Sequence, residues 1–158
     1  MRKCLAVLLL VLLCGCSGKT ADISAYGDKP IEIAGLTEEE FTVTPNELAE
    51  LERVSQSARG KTEKAGSVQA DGPLLNTFLE PYGYQMSDFY KIRFICADGY
   101  KTVLRGEYLT DYDVILSISQ GDEPLSEACR LLRLFIPGAE SNMWAYSVVR
   151  IEFEREAA

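Results

Sequence analysis

Three basic side chains lie close together in the sequence, where they could bind an anion: Arg59, Lys61 and Lys64. Gly60-Lys61-Thr62 also matches the last residues of a phosphate-binding loop. However, Ser55 stands where that loop has its first glycine, and no apolar strand precedes it. A phosphate loop is therefore rejected. Two interpretations of the basic residues stay open: a solvated loop, or contacts to an anion in which Arg59 and Lys61 take part.

The chain has no histidine. This excludes a Ser-His-Asp relay, a Cys-His nucleophile pair and every metal site built on imidazole. Two cysteines of the domain, Cys96 and Cys129, are too few for a metal site of their own. Outside the cytoplasm they could pair as a disulfide, or Cys96 could serve as a small buried hydrophobe. No catalytic or metal-ligating set is predicted.

Composition fits one folded domain that avoids nucleic acid. Of 158 residues, 47% are hydrophobic and 25% are charged, which is ordinary for a globular chain. The formal net charge is -8, and no basic patch is long enough to offset it. Because such a surface repels phosphate backbones, a nucleic-acid partner is excluded.

The first residues predict export and a lipid anchor. Met1-Arg2-Lys3 is basic and Leu5–Leu13 is apolar but too short to span a bilayer, so residues 1–15 are a signal peptide. Leu13-Cys14-Gly15-Cys16 resembles a bacterial lipoprotein box, which implies cleavage before Cys16 and its lipidation; an ordinary secretory signal is the alternative. We expect a flexible tether over 16–29 and a protein lipid-anchored on the extracytoplasmic face of the cell membrane.

The elements of the domain are organised around a hairpin, Lys91–Leu104. Asp98-Gly99 favours a tight turn, with Ile92, Phe94 and Cys96 on the inner face before it and Tyr100, Thr102 and Leu104 after it. Upstream, Thr44-Pro45-Asn46-Glu47 predicts a capped helix and Gly72-Pro73 is expected to open a second one. The stretch Val54–Ala70 between them reads as an irregular loop.

Further short strands are predicted near Ile31, Phe41 and Val114, and again over Leu131–Ile136. At the end, Val149, Ile151 and Phe153 alternate with charged residues. The sequence thus predicts a single strand-rich α+β domain over residues 30–158.

The order of these pieces resembles the molybdopterin-binding domain of the sulfite oxidase family, in the small stand-alone form of some bacterial secreted proteins. Matching pieces run from about Ile31 to Phe153. They include FTVTPNEL from Phe41, GPLLNTFL from Gly72, FICADGY from Phe94, GDEPL from Gly121, LRLFIPG from Leu132, Trp144, and VRIE from Val149. The resemblance implies that fold and raises molybdopterin as the cofactor.

The residues that would hold molybdenum are mostly missing. Active members have a cysteine in the loop after the first helix, but Val54–Arg59 contains only Ser55 and Ser57, whose oxygens are harder ligands than a thiolate. Tyr146 stands where a lysine is usual. Arg133 matches the family's arginine and could face an anionic ligand, although a salt bridge or a solvated charge would explain it equally well.

Three functions follow. The first is a non-catalytic lipoprotein that binds a small anionic ligand or an envelope protein, or serves as an accessory subunit. The second is a molybdopterin-dependent oxidoreductase with atypical metal ligation, and the third is a structural surface lipoprotein.

Overall fold

The largest sheet of the computed structural model, which describes residues 21–59 and 67–155, has five strands. Their order is β2-β1-β11-β5-β6, and β1 and β11 run parallel while the other neighbours are antiparallel. The members are β1 (Ile31–Ala34), β2 (Phe41–Val43), β5 (Lys91–Cys96), β6 (Lys101–Leu104) and β11 (Val148–Glu154). One face of this sheet covers the core and the other carries the charged side chains.

Two smaller sheets complete the described strands. The order β3-β4-β8-β9 joins β3 (Arg53–Arg59), β4 (Ser67–Pro73), β8 (Ser119–Gln120) and β9 (Glu123–Pro124). A separate antiparallel pair joins β7 (Ile115–Ser117) to β10 (Arg133–Phe135), and every residue of that pair is buried.

The three α-helices of the described chain are short, and only the first has a side-chain cap. In α1 (Pro45–Ala49), Thr44 and Glu47 form the predicted capping box. The second helix, α2 (Leu75–Leu79), starts later than expected because Gly72 and Pro73 end β4. A Cβ on Gly72 would lie 1.9 Å from the carbonyl oxygen of Leu116, so the glycine serves the close approach of β4 to β7. The last α-helix of the described chain is α3 (Glu107–Thr110), and short 3-10 helices follow at Glu127–Cys129 and Ser141–Met143.

The predicted central hairpin is confirmed, with one correction. Ile92, Phe94 and Cys96 face the core, and Gly99 adopts a φ of +85° in the turn. Tyr100, however, is 51% exposed rather than inward-facing. Its backbone N–H donates to the Asp98 carboxylate, so Tyr100 belongs to the turn and the alternation starts only at β6.

The stretch predicted as an irregular loop is mostly a hairpin. Strands β3 and β4 pair in continuous antiparallel register from Arg53↔Pro73 to Arg59↔Ser67, while residues 60–66 lie outside the described part. The side chains of β3 alternate between half-buried and exposed with a period of two. This alternation is carried by small and polar residues, which hides it from a search for apolar periodicity.

The end of the chain also needs a shift in register. Ile151 and Phe153 are buried as predicted, but Val148 rather than Val149 is the next buried residue. The pairing of β11 with β5 slips between Val148 and Arg150, which marks a β-bulge and turns Val149 off the core face.

Part of the expected tether is packed against the domain. Tyr26 is buried with Leu125 and Cys129; its hydroxyl donates to the carbonyl oxygen of Ile118 at 2.6 Å and accepts from the backbone N–H of Leu125 at 2.9 Å. The chain is therefore attached from about Ile23, earlier than the predicted boundary at residue 30. Cys16 and the signal peptide lie outside the described residues. Across the part that the structure covers, no helix is long and apolar enough to cross a membrane.

Candidate anion site at Arg133

Arg133 is a charged side chain inside the protein. It starts β10 and is 3% exposed. One guanidinium nitrogen, Nη2, donates to the carbonyl oxygen of Gln69 on β4 and lies 3.4 Å from the Ser117 hydroxyl oxygen on β7. The Nε atom is fully buried and has no hydrogen-bond partner among the described residues. Three strands therefore hold this cation while leaving one of its donors unused.

No carboxylate of the described chain forms an ion pair with Arg133. Asp71, the acid whose charge acts on Arg133, uses its carboxylate to accept the backbone N–H of Gly121. Burial is the largest influence on the guanidinium and lowers the pKa of Arg133 below its ordinary value. Cys129, Tyr146 and Asp71 lie near enough to act in the opposite direction without overcoming it.

Tyr146 lies on the solvent side of this cluster. Its side chain is 43% exposed, and the residue that follows it, Ser147, adopts a φ of +54° that is uncommon outside glycine. Ser147 is fixed on both sides: its N–H donates to the carbonyl oxygen of Cys129 at 3.3 Å and its own carbonyl accepts from Ala97 at 2.9 Å. The backbone thus fixes Tyr146 beside Arg133.

The two thiols of the domain are free and buried. Cys96 is 4% exposed on the core face of β5, and burial, followed by the charge of Asp98, raises the pKa of its thiol. Cys129 lies next to Arg133 and accepts a hydrogen bond from the Ser126 hydroxyl at 3.3 Å. The disulfide that the sequence left open is not formed.

Of the predicted anion contacts Arg133, Arg59 and Lys61, the structure describes the first two and places them apart. Arg133 is buried, which matches neither the salt bridge nor the solvated charge offered as alternatives. Arg59 is exposed at the end of β3, where it pairs with Ser67, whereas the Gln69 carbonyl that binds Arg133 lies opposite Ser57. Arg59 and Arg133 share no hydrogen-bond partner that the described residues show, and Lys61 lies outside those residues.

Two partners of Arg133 were not predicted. The Gln69 contact is a backbone carbonyl, which any residue type supplies, so the sequence carries no signal for it. Ser117 follows the three apolar residues 114–116 of the strand predicted near Val114, and its hydroxyl also donates to the carbonyl oxygen of Ser119. A polar residue in a fully buried strand was the available signal.

The donors of the site do not fit a molybdenum atom held by a thiolate. The stretch where the resemblance implies a ligating cysteine is β3, which offers hydroxyl, amide and guanidinium groups. Cys96 faces the core, and Cys129 packs with Tyr26 and Leu125. Within the described residues no group of three or more His, Cys, Asp or Glu could hold a metal ion. The chemistry that this site does offer is the binding of an anion by the guanidinium of Arg133.

Comparison with known proteins supports the architecture. No protein-family model matches the sequence, and no curated protein is detectably similar to it. Among solved structures, the sulfane dehydrogenase SoxCD from Paracoccus pantotrophus matches with a TM-score of 0.65 at 22% identity. The match covers 84% of this chain but 39% of the SoxCD chain, and at this identity it bears on the fold alone. The domain described here therefore has a distant sulfite-oxidase-like fold.

Proposed function

We propose that this chain is a bacterial lipoprotein, anchored through Cys16 on the extracytoplasmic face of the membrane, whose sulfite-oxidase-like domain binds a small anion without metal chemistry. The basic start, the short apolar run and the cysteine at position 16 support the anchor. The domain would then serve as a ligand-binding or accessory module, which could also present its ligand to an envelope partner.

The unpartnered Nε of Arg133 is the observation that carries this proposal. A buried charge is costly unless it is paired, and a buried N–H donor without an acceptor adds roughly 1–3 kcal/mol more. An anion beside Nε would supply both the missing charge and the missing acceptor. The protein supplies these only in part: Cys129, Tyr146 and Asp71 favour the charged guanidinium and Cys129 also hydrogen-bonds to it, but no described carboxylate forms an ion pair with Arg133 and Nε has no acceptor.

The chemistry of the site favours a compact oxyanion. A guanidinium presents planar N–H donors that match carboxylate and phosphate oxygens. The Ser117 hydroxyl donates to the carbonyl oxygen of Ser119 and accepts from Nη2, so it positions the guanidinium, and the exposed Tyr146 marks the side from which a ligand would approach. A ligand bound here would lie between β4, β7 and β10, so it would also stabilise the fold.

Cofactor content tests the absence of metal chemistry. The full-length chain is expressed in a bacterium that makes the molybdenum cofactor, extracted from membranes in detergent and assayed for molybdenum and for extractable pterin. We expect less than about a tenth of an equivalent of each. One equivalent of molybdenum would overturn the non-catalytic assignment and favour an oxidoreductase with atypical ligation.

The anchor is tested separately with Cys16→Ser and a matched control, Cys14→Ser. We expect Cys16→Ser to abolish labelling by a radioactive fatty acid and to release the protein from the membrane fraction, whereas Cys14→Ser keeps both. Equal lipidation of both variants would contradict the anchor but would leave the anion site untouched.

A further inference from the structure

An apolar groove of about 290 Å³ lies along the edge of the five-stranded sheet, far in sequence from Arg133. It is formed by all three residues of β2, by Glu47 and Leu48 of α1, and by Leu51, two residues after that helix. Phe78 of α2 and the following Pro81 and Tyr82 complete its lining. Tyr82 is 37% exposed and stacks on Phe41 with ring centroids 5.6 Å apart. An aromatic ring so placed offers apolar area and a polar tip to a partner.

The groove follows an open strand edge. On one side β2 pairs with β1, and no other described strand pairs with it. Phe41 and Val43 point to one face of the sheet and Thr42 to the other, yet all three line the groove. Because β2 is the outermost described strand of this sheet, its outer backbone groups pair with no described strand and can accept an added strand.

One acid lines the groove, and further exposed acids lie close to its lining residues in sequence; together they are called the acidic rim. Glu47 forms part of the wall, and its charge contributes to raising the pKa of the Tyr82 hydroxyl after the larger effect of burial. The other acids nearest in sequence to the lining residues are exposed, and they are Glu38, Glu39, Glu50, Glu52 and Glu80. Glu40 is engaged with Arg150. The only basic residue directly beside this set in sequence is Arg53.

We propose that this groove binds an extended segment of a partner protein in which apolar and basic residues alternate, added as a strand to β2. The apolar side chains would enter beside Phe78 and Leu51, and the Lys or Arg side chains would meet the acidic rim. A second copy of this chain would bring the same acids against the rim. An anionic lipid surface would be repelled by them.

Binding is measured by fluorescence anisotropy with the detergent-solubilised protein and a labelled ten-residue peptide of alternating Val and Lys. Three comparisons isolate the features of the groove: a peptide of alternating Val and Glu, a fully N-methylated Val-Lys peptide, and the variants Tyr82→Ala and Tyr90→Ala. Tyr90 is a matched control because it is 48% exposed and lies in another cleft, beside Arg105.

We expect the Val-Lys peptide alone to bind, with amide shifts centred on Phe41–Val43. Tyr82→Ala should weaken binding at least about fivefold and Tyr90→Ala should not change it. Equal binding of the Val-Glu or N-methylated peptide, or equal weakening by both variants, would overturn the proposal. So would a dimer that Tyr82→Ala dissociates, or loss of the same amide signals in anionic nanodiscs without peptide.

Discussion

The regions around Arg150 and Arg133 differ in how fully neighbouring protein groups pair the charge of the arginine. Arg150, on the outer face of the large sheet, contacts the carboxylates of Glu32, Glu40 and Glu152 at 2.8–2.9 Å. Arg133, on the buried pair of strands, contacts a backbone carbonyl, a hydroxyl and the Cys129 thiol, has no carboxylate partner in the described chain and leaves Nε without an acceptor. The better-paired cation is the more exposed of the two.

This difference indicates which charge is structural and which is available to a ligand. Ionic groups on the sheet face connect β1, β11 and β5, because Arg93 also pairs with Glu152. Hydrogen bonds to Glu40, then Glu32 and Glu152, raise the pKa of Arg150, and the hydrogen bond from Arg150 is the largest influence that lowers the pKa of Glu152. At Arg133 the surrounding protein instead lowers the pKa of the cation, which an anion would reverse.

The largest expected effect is on binding at Arg133. We expect the Arg133→Met variant to lose about 2 kcal/mol or more of binding free energy for inorganic phosphate, or roughly 30-fold in Kd, because the charged donor is gone. Isothermal titration calorimetry measures this. Arg150→Met is the matched control and should bind phosphate like the wild type. If both variants bind equally well, the contrast between the two arginines is wrong.

A smaller effect is expected on stability at Arg150. Removing the guanidinium in Arg150→Met leaves three carboxylates facing one another, and we expect the free energy of unfolding to fall by about 1–2 kcal/mol. Urea denaturation monitored by the fluorescence of Trp144 measures the change. Salt at 1 M should reduce the difference between wild type and variant, since these groups are partly exposed. An unchanged midpoint would show that the ionic contacts do not hold the strands together.

Thr102 tests whether any unpartnered buried polar atom indicates a binding site. Its hydroxyl oxygen has no hydrogen-bond partner in the described structure, and it lies opposite Phe94 in the core. We expect Thr102→Val to raise the free energy of unfolding by about 1 kcal/mol, because the shape is kept and the unsatisfied hydroxyl is removed. Phosphate should bind this variant normally. A destabilised variant would mean that the Thr102 hydroxyl has a hydrogen-bond partner. The missing partner of Arg133 Nε would then no longer indicate a binding site.

The smallest expected effect is the dependence of stability on pH. Hydrogen bonds from Arg150 hold the pKa of Glu152 and of Glu40 below their usual range. A lowered pKa in the folded state stabilises the protein above the unfolded pKa, about 4.3, and the benefit is lost as the pH falls below it. Urea unfolding between pH 3 and 6 should show this acid loss in wild type and a shallower one in Arg150→Met. Identical slopes would contradict the assignment.

The sequence predicted those elements whose signals are local. The capping box of α1, the turn at Gly99 and the inward face of β5 depend on neighbouring residues, and each is confirmed. Strands β3 and β4 were missed because their alternation uses serine, glutamine and alanine rather than large apolar residues. Their pairing depends on tertiary contacts, which no local pattern records.

The site was predicted only in part, because its arrangement also depends on tertiary contacts. Arg133 was identified, but its burial depends on β4 and β7, which lie far from it in sequence. Tyr146 is predicted as a replacement for a lysine and, with Trp144, as lining a pocket or capping the core; Trp144 is buried in the core, whereas Tyr146 is 43% exposed. Cys129 and Tyr146 lie beside Arg133 because the backbone of Ser147 hydrogen-bonds to Cys129 on one side and to Ala97, at the hairpin turn, on the other. Such a bridge is a property of the fold.

The most direct test is the Nε–Hε resonance of Arg133 in an NMR titration of the detergent-solubilised protein with inorganic phosphate, with Arg133→Met used to assign it. We predict a saturable downfield shift of this resonance, while the Arg150 signal stays unchanged. A resonance of Arg133 that does not move, or that moves only in step with Arg150, would contradict the claim that the buried arginine is an anion site.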